Sequence, residues 1–251
     1  MTKMTPSPLA LAALILAPAV LAQTAPGAAP GGFSAATTQK PAGMSMHVDG
    51  AAACTLDWRE VVGGAERVVF IGDVRSSAAI KSVLAGAMLD FARAGAGALA
   101  VDAVRPADQP LLDRYGAPDA RRLLGERLAK EKLPAAADEL ALFDAAHAAG
   151  LSLFALNPNP AAALGALSKR PGGGRVIVFI AADQARRGAQ PAQLRDAGVP
   201  SRSYAFASAA DPSEQSLRVA GLDTGDWLLP GDADFDGLIS VPAVLRDTPA
   251  R

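Results

Sequence analysis

Three apolar runs that each end abruptly in a carboxylate constrain this chain more than anything else in it. They are Val68-Val69-Phe70-Ile71-Gly72-Asp73, Ala98-Leu99-Ala100-Val101-Asp102, and Val176-Ile177-Val178-Phe179-Ile180-Ala181-Ala182-Asp183. Continuous hydrophobic runs of strand length suit strands buried on both faces, which belong to parallel sheets flanked by helices. Between the first two runs, Ser76 or Ser77 caps a predicted helix reaching about Arg93. Its buried side is Ile80, Val83, Leu84, Met88, Leu89 and Phe91, and Gly95 and Gly97 punctuate its end. Pro106, Pro110, Pro118 and Pro134 open further helical pieces before Gly150. Leu151 to Leu156 reads as a third strand, Ala161 to Ser168 as a helix, and Arg175 to Ile180 as a fourth strand. Ser203 to Ala207, Ser216 to Val219 and Gly237 to Val241 read as short terminal strands. Strands alternating with helices predict a single α/β domain, a mostly parallel central sheet with helices on both faces.

The chain ends narrow the setting. Residues 1–22 read as a signal peptide: Lys3 gives the positive start, Leu9 to Leu21 the apolar core, and Val20-Leu21-Ala22 a small-residue cleavage site. That core is shorter than the roughly 20 residues of a membrane-spanning helix. The expectation is a periplasmic or secreted protein with no span in its mature form. Residues 23–50, rich in Ala, Gly, Pro, Ser and Thr, read as a disordered linker, and residues 51–251 as the folded domain. Lys and Arg number 24 against 25 Asp and Glu, a net charge of −1, so no electrostatic footprint for nucleic acid is present. Cys54 is the single cysteine, which leaves no internal disulfide to form.

Ligands of such folds bind beyond the carboxyl ends of the strands. Asp73, Arg75, Asp102, Asp183 and Gln184 stand there and predict a polar crevice for a small molecule. Arg75 suits a carboxylate or phosphate of a ligand, or else neutralises Asp73 and Asp102. The two histidines, His47 and His147, do not follow a strand. A crevice without imidazole lacks the usual neutral metal ligand and near-neutral proton switch, which favours binding over metal-dependent catalysis. Ser76 and Ser77 lack an activating base nearby. Asp232-Ala233-Asp234-Phe235-Asp236-Gly237 is like the first half of a calcium loop, but Ala243 stands where the bidentate Glu is needed, so a polar turn is expected.

At these tips the chain resembles the ChaN-like haem-binding uptake family of the Tiki and erythromycin-esterase superfamily, over roughly Trp58 to Phe206. The matching segments are Leu56-Asp57-Trp58, Gly72-Asp73-Val74-Arg75, Asp102, Asp108-Gln109 through Tyr115, Ala155-Leu156-Asn157, and Ala181-Ala182-Asp183-Gln184 with Arg186, Arg187 and Leu194. The resemblance adds Tyr115 and Asn157 to the expected ligand-binding residues and implies haem as cofactor or cargo, in iron uptake. Asp73 and Asp102 stand where the family has Glu, and Arg75 and Gln184 where it has His. Roles resting on imidazole therefore do not transfer. The expected activity is binding of a small ligand, haem foremost, with no catalytic residue assigned. The alternative is a divergent hydrolase in which Asp73 or Asp102 acts through water. Whether two copies pair as a homodimer around the ligand stays open.

Overall fold

The computed structural model describes residues 45–48, 51–73, 77–131, 136–156, 160–169, 174–208, 214–215 and 224–247. The described strands are β1 (Ser45–Val48), β2 (Ala51–Thr55), β3 (Val68–Asp73), β4 (Ala96–Val101), β5 (Ser152–Ala155), β6 (Arg175–Ala181), β7 (Ser201–Phe206), β8 (Trp227–Pro230) and β9 (Gly237–Ser240). They form one sheet in the order β1-β2-β8-β9-β7-β3-β6-β4-β5. From β9 to β5 every neighbouring pair is parallel; the β1–β2, β2–β8 and β8–β9 pairs are antiparallel.

The helices are α1 (Trp58–Val62), α2 (Ala78–Arg93), α3 (Gln109–Asp113), α4 (Pro118–Lys130), α5 (Ala136–Ala148), α6 (Pro160–Ser168), α7 (Ala182–Ala185), α8 (Gln190–Asp196) and α9 (Pro242–Asp247). Two apolar clusters lie on opposite faces of the sheet. Val69, Ile71, Leu99, Val101, Ile177 and Phe179 join Leu84, Met88, Phe91, Leu142 and Phe143 of α2 and α5. Their neighbours along the strands, Val68, Phe70, Ala100, Val176, Val178 and Ile180, join Leu164, Ala185 and Leu194 of α6, α7 and α8. Alternate residues of β3, β4 and β6 are thus buried on alternate faces, which is why those runs carry no polar interruption.

Ser77 is the α2 N-cap, its side chain accepting from the Ile80 amide, and Gly95 closes the helix at φ +90°. Trp58 packs edge-on against Phe91 at 5.5 Å, a core role for that residue.

Two expectations need amendment. Ser45–Val48, inside the stretch read as linker, pairs with β2 at the edge of the sheet. Its four residues carry no period of their own, and the partner strand supplies the order. Trp227–Pro230 is a strand that its short, Gly- and Pro-bounded sequence did not announce. Together these make the β1 side of the sheet antiparallel. The strand expected at Ser216–Val219 lies outside the described residues.

Candidate functional site

The order of the central strands contains a reversal. The chain leaves β3 through α2, on one face, to reach β4; it leaves β6 through α7 and α8, on the other face, to reach β7 on the far side of β3. Connections diverging from two adjacent parallel strands open a crevice between their carboxyl ends. Asp73 ends β3, and α7 begins directly after β6 with Asp183 in its first turn. Gly72 permits this junction: a Cβ there would come within 2.9 Å of Ala182 Cα.

Asp73 Oδ1 accepts from the Ser77 amide at 3.3 Å, which fastens the β3 tip to the start of α2. Asp102, just past β4, reaches across to β6, its Oδ2 accepting from the Ala181 amide at 3.3 Å. Burial of its carboxyl raises the Asp102 pKa; the Ala181 amide and the ammonium of Lys81 oppose that rise, and Asp183 adds to it. Asp102 as a whole residue is exposed, so solvent screens part of that displacement.

Beneath the tips lies a pair that the sequence reading passed over. Lys81, in the first turn of α2, meets Glu139, in the first turn of α5, at 2.7 Å. Their residue exposures are 2% and 5%. Glu139 uses Oε1 for Lys81, while Oε2 is buried with no hydrogen-bond partner. Burial pushes the Glu139 carboxyl up; Lys81 holds it down in part, and the fields of Asp73 and Asp102 push it further. The Lys81 ammonium is thus bonded to Glu139 beneath the tips of β3 and β4. The signal was present in the helical period: Lys81 precedes Leu84 and Met88 by three and seven residues, and Glu139 precedes Leu142 and Ala146 likewise. A charged residue on an otherwise apolar stripe is buried with its partner or not buried at all.

The structure does not bring all the expected residues to this crevice. Arg75 and Asn157 lie outside the described residues. Gln184 is exposed on α7 beside Asp183. Tyr115 is buried elsewhere, its hydroxyl donating to Asp144 Oδ1 at 2.9 Å and lying 3.2 Å from the Leu140 carbonyl oxygen. Burial and Asp144 raise the pKa of its phenol. Tyr115, Arg114, His147 and Phe154 line a separate cleft of about 950 Å³ beside β5, in which none of the four carboxylates takes part. Gln109 seals the neighbouring sheet edge as a strand would: it donates to the Leu153 carbonyl at 3.0 Å and accepts from the Ala155 amide at 2.8 Å.

The Asp232 segment is the expected turn. Asp232 Oδ1 accepts from the amides of Asp234 and Phe235, and Arg186 and Arg187 pair with Asp234 and Asp236. Among the described residues, no three or more His, Cys, Asp or Glu side chains are placed to hold a metal ion. Nor is any described helix long and apolar enough to cross a membrane.

No family model matches the chain, and no curated protein does. Two solved structures are similar to it. The type III effector HopBA1 is 15% identical with a TM-score of 0.44, over 69% of this chain and 86% of that one. RRSP, a MARTX toxin effector domain from Vibrio vulnificus CMCP6, is 17% identical with a TM-score of 0.42, over 66% of this chain and 35% of that one. The class these observations define is an α/β protein with a mixed nine-stranded sheet, in which Asp73, Asp102 and Asp183 stand at the carboxyl-end tips around a strand reversal.

Proposed function

We propose that this chain is an exported small-molecule-binding protein whose ligand seats at the carboxyl ends of β3, β6 and β4. The observation that carries this reading is the placement of Asp73, Asp102 and Asp183 at the tips of β3, β4 and β6, around a strand reversal in the parallel part of the sheet. Haem, in iron uptake, is the ligand that the ChaN-like resemblance brings forward, and it is the first to test. Haemin added to the mature chain is expected to shift its Soret band and to perturb amide resonances at residues 72–73, 101–102 and 181–184. Broader support comes from a fragment set of amines, carboxylates and sugars read by the same resonances. The reading fails if no compound perturbs those tips, or if every response maps to the cleft beside β5.

A second reading, hydrolysis, is favoured by one feature: burial holds the Asp102 carboxyl above its usual range, toward the range of a general base working through water. An ester and amide panel tests it. Turnover that survives replacement of both Asp73 and Asp102 by alanine removes it.

A further inference from the structure

β5 ends the sheet, and its outer edge is closed on both sides of a gap one residue wide. Gln109 donates to the Leu153 carbonyl and accepts from the Ala155 amide, so the odd-numbered residues of β5 turn their main-chain groups outward. The Leu156 amide donates inward to Val101, which fixes the opposite sense for the even-numbered ones. Directly before β5, the outward Leu151 amide donates to the Ala146 carbonyl at the end of α5. Between these closures stand the Leu151 carbonyl and the Leu153 amide, facing outward where no strand lies beyond β5 among the described residues. One residue of a parallel strand bonds such a pair with its own N–H and C=O. The Gln109 side-chain amide makes that same pattern one step further along the edge.

The gap faces the cleft of about 950 Å³, whose lining includes Leu151, Ser152 and Leu153 together with Arg114. Leu151 and Leu153 bury their side chains in the core under α2 and α5, so what they give the cleft is main chain. Arg114 gives it charge. Its side chain is 61% exposed and meets Asp119 only at 3.9 Å, beyond hydrogen-bond reach, which leaves guanidinium donors open. The acidic group of the lining, Asp113, already accepts from Gln109 Nε2 at 2.8 Å.

We infer that this cleft takes an extended peptide of a partner protein, running parallel to β5. One peptide residue bonds the Leu151 carbonyl and the Leu153 amide through its main chain, and a carboxylate side chain beside it meets Arg114. Main-chain pairing supplies the affinity, and the carboxylate supplies the preference. A second copy of this chain does not fit the same edge. Two β5 strands related by a twofold axis run antiparallel, and Gln109 covers the Leu153 carbonyl and Ala155 amide in both. The site lies apart from the carboxylates at the strand tips and stands independently of the ligand reading made for them.

The probes are blocked pentapeptides, acetyl-Val-Thr-X-Thr-Val-amide with X as Glu, Val or Lys, and the Glu peptide N-methylated at every residue. Each is titrated into the mature chain, with binding read by calorimetry and by amide resonances. The Glu peptide is expected to shift the Leu153 amide downfield and slow its exchange with solvent, while the Ala155 amide, held by Gln109, stays in place. N-methylation should weaken binding about tenfold or more, because the donor to the Leu151 carbonyl is gone. The Lys peptide should bind several-fold more weakly than the Glu peptide. Arg114→Gln, at an exposed position, should bring the Glu and Val peptides to one affinity with the unfolding midpoint retained. Silence of the whole panel at Leu153 overturns the inference, as does equal binding by the N-methylated peptide or a preference for Lys. A Leu153 amide already protected in the chain alone, with a doubled mass in sedimentation, overturns it in favour of a second copy.

Discussion

At the amino ends of the central strands, the Arg175 guanidinium donates to three main-chain carbonyls, those of Ala94, Glu66 and Gly64, tying together the approaches to β3 and β4. Arg202 beside it meets Glu66 Oε1 at 3.0 Å. At the carboxyl ends of the same strands the described charges are mostly acidic. Glu139 keeps one buried oxygen without a donor, and the Asp102 and Glu139 carboxyls are both held above their ordinary range. Glu66 also keeps a buried oxygen without a hydrogen-bond partner, on a half-buried residue whose other oxygen meets Arg202. The difference separates a seam from a site. A guanidinium whose donors end on backbone carbonyls is spent on the backbone, whereas a buried carboxylate with one oxygen unmatched depends on its single ammonium partner.

The contrast can be broken most decisively at the buried pair. Glu139→Leu alone leaves the Lys81 ammonium buried without its partner and should cost about 3–5 kcal/mol in denaturant unfolding. Lys81→Met combined with Glu139→Leu should recover most of that loss. A neutral single variant would show that the pair is not closed from water. Next in size, Arg175→Ala should lower the unfolding free energy by about 2–3 kcal/mol with any ligand response at the strand tips unchanged. A matching loss of affinity would erase the division between seam and site. Gly72→Ala forces Cβ against Ala182 and should cost about 1–3 kcal/mol. It should also weaken ligand binding, because α7 carries Asp183.

The smallest effect is on pH dependence. Asp102 and Glu139 hold protons more tightly folded than unfolded, so stability falls as pH rises from the ordinary carboxylate range through their raised values. Asp144, held low by Arg121, does the reverse and loses its contribution as pH falls through its depressed value. The difference between Asp102→Asn and the parent protein isolates one term. It should show a shallower decline over that window, by less than about 1 kcal/mol given the exposure of Asp102. Superimposable pH profiles would mean that crowding does not displace that carboxyl.

Much of the fold was legible, and for identifiable reasons. The runs at 68–73, 98–101 and 175–181 are apolar because both faces of each strand are covered. Ser77 and Gly95 bound α2 because a cap and a positive φ have their own sequence preferences. β1 and β8 were not legible, since four-residue strands at a sheet edge draw their order from neighbours rather than from a period. In the site, Asp73, Asp102 and Asp183 announced themselves by ending apolar runs. Tyr115 is correctly polar at its tip, yet Asp144 and the Leu140 carbonyl occupy its hydroxyl away from the crevice. Lys81 and Glu139 were hidden in plain helical text, their pairing invisible because 58 positions separate them.

The sequence by itself determined which segments lie at the centre of the sheet and that carboxylates end them, because burial and chain direction leave their mark on consecutive residues. Only the tertiary structure decided that those carboxylates end neighbouring strands at one edge of the sheet, that Lys81 pairs with Glu139, and that Tyr115 bonds Asp144 beside a different cleft. Such facts depend on strand order and helix docking, and electrostatic surplus is a property of groups brought together across the chain rather than along it.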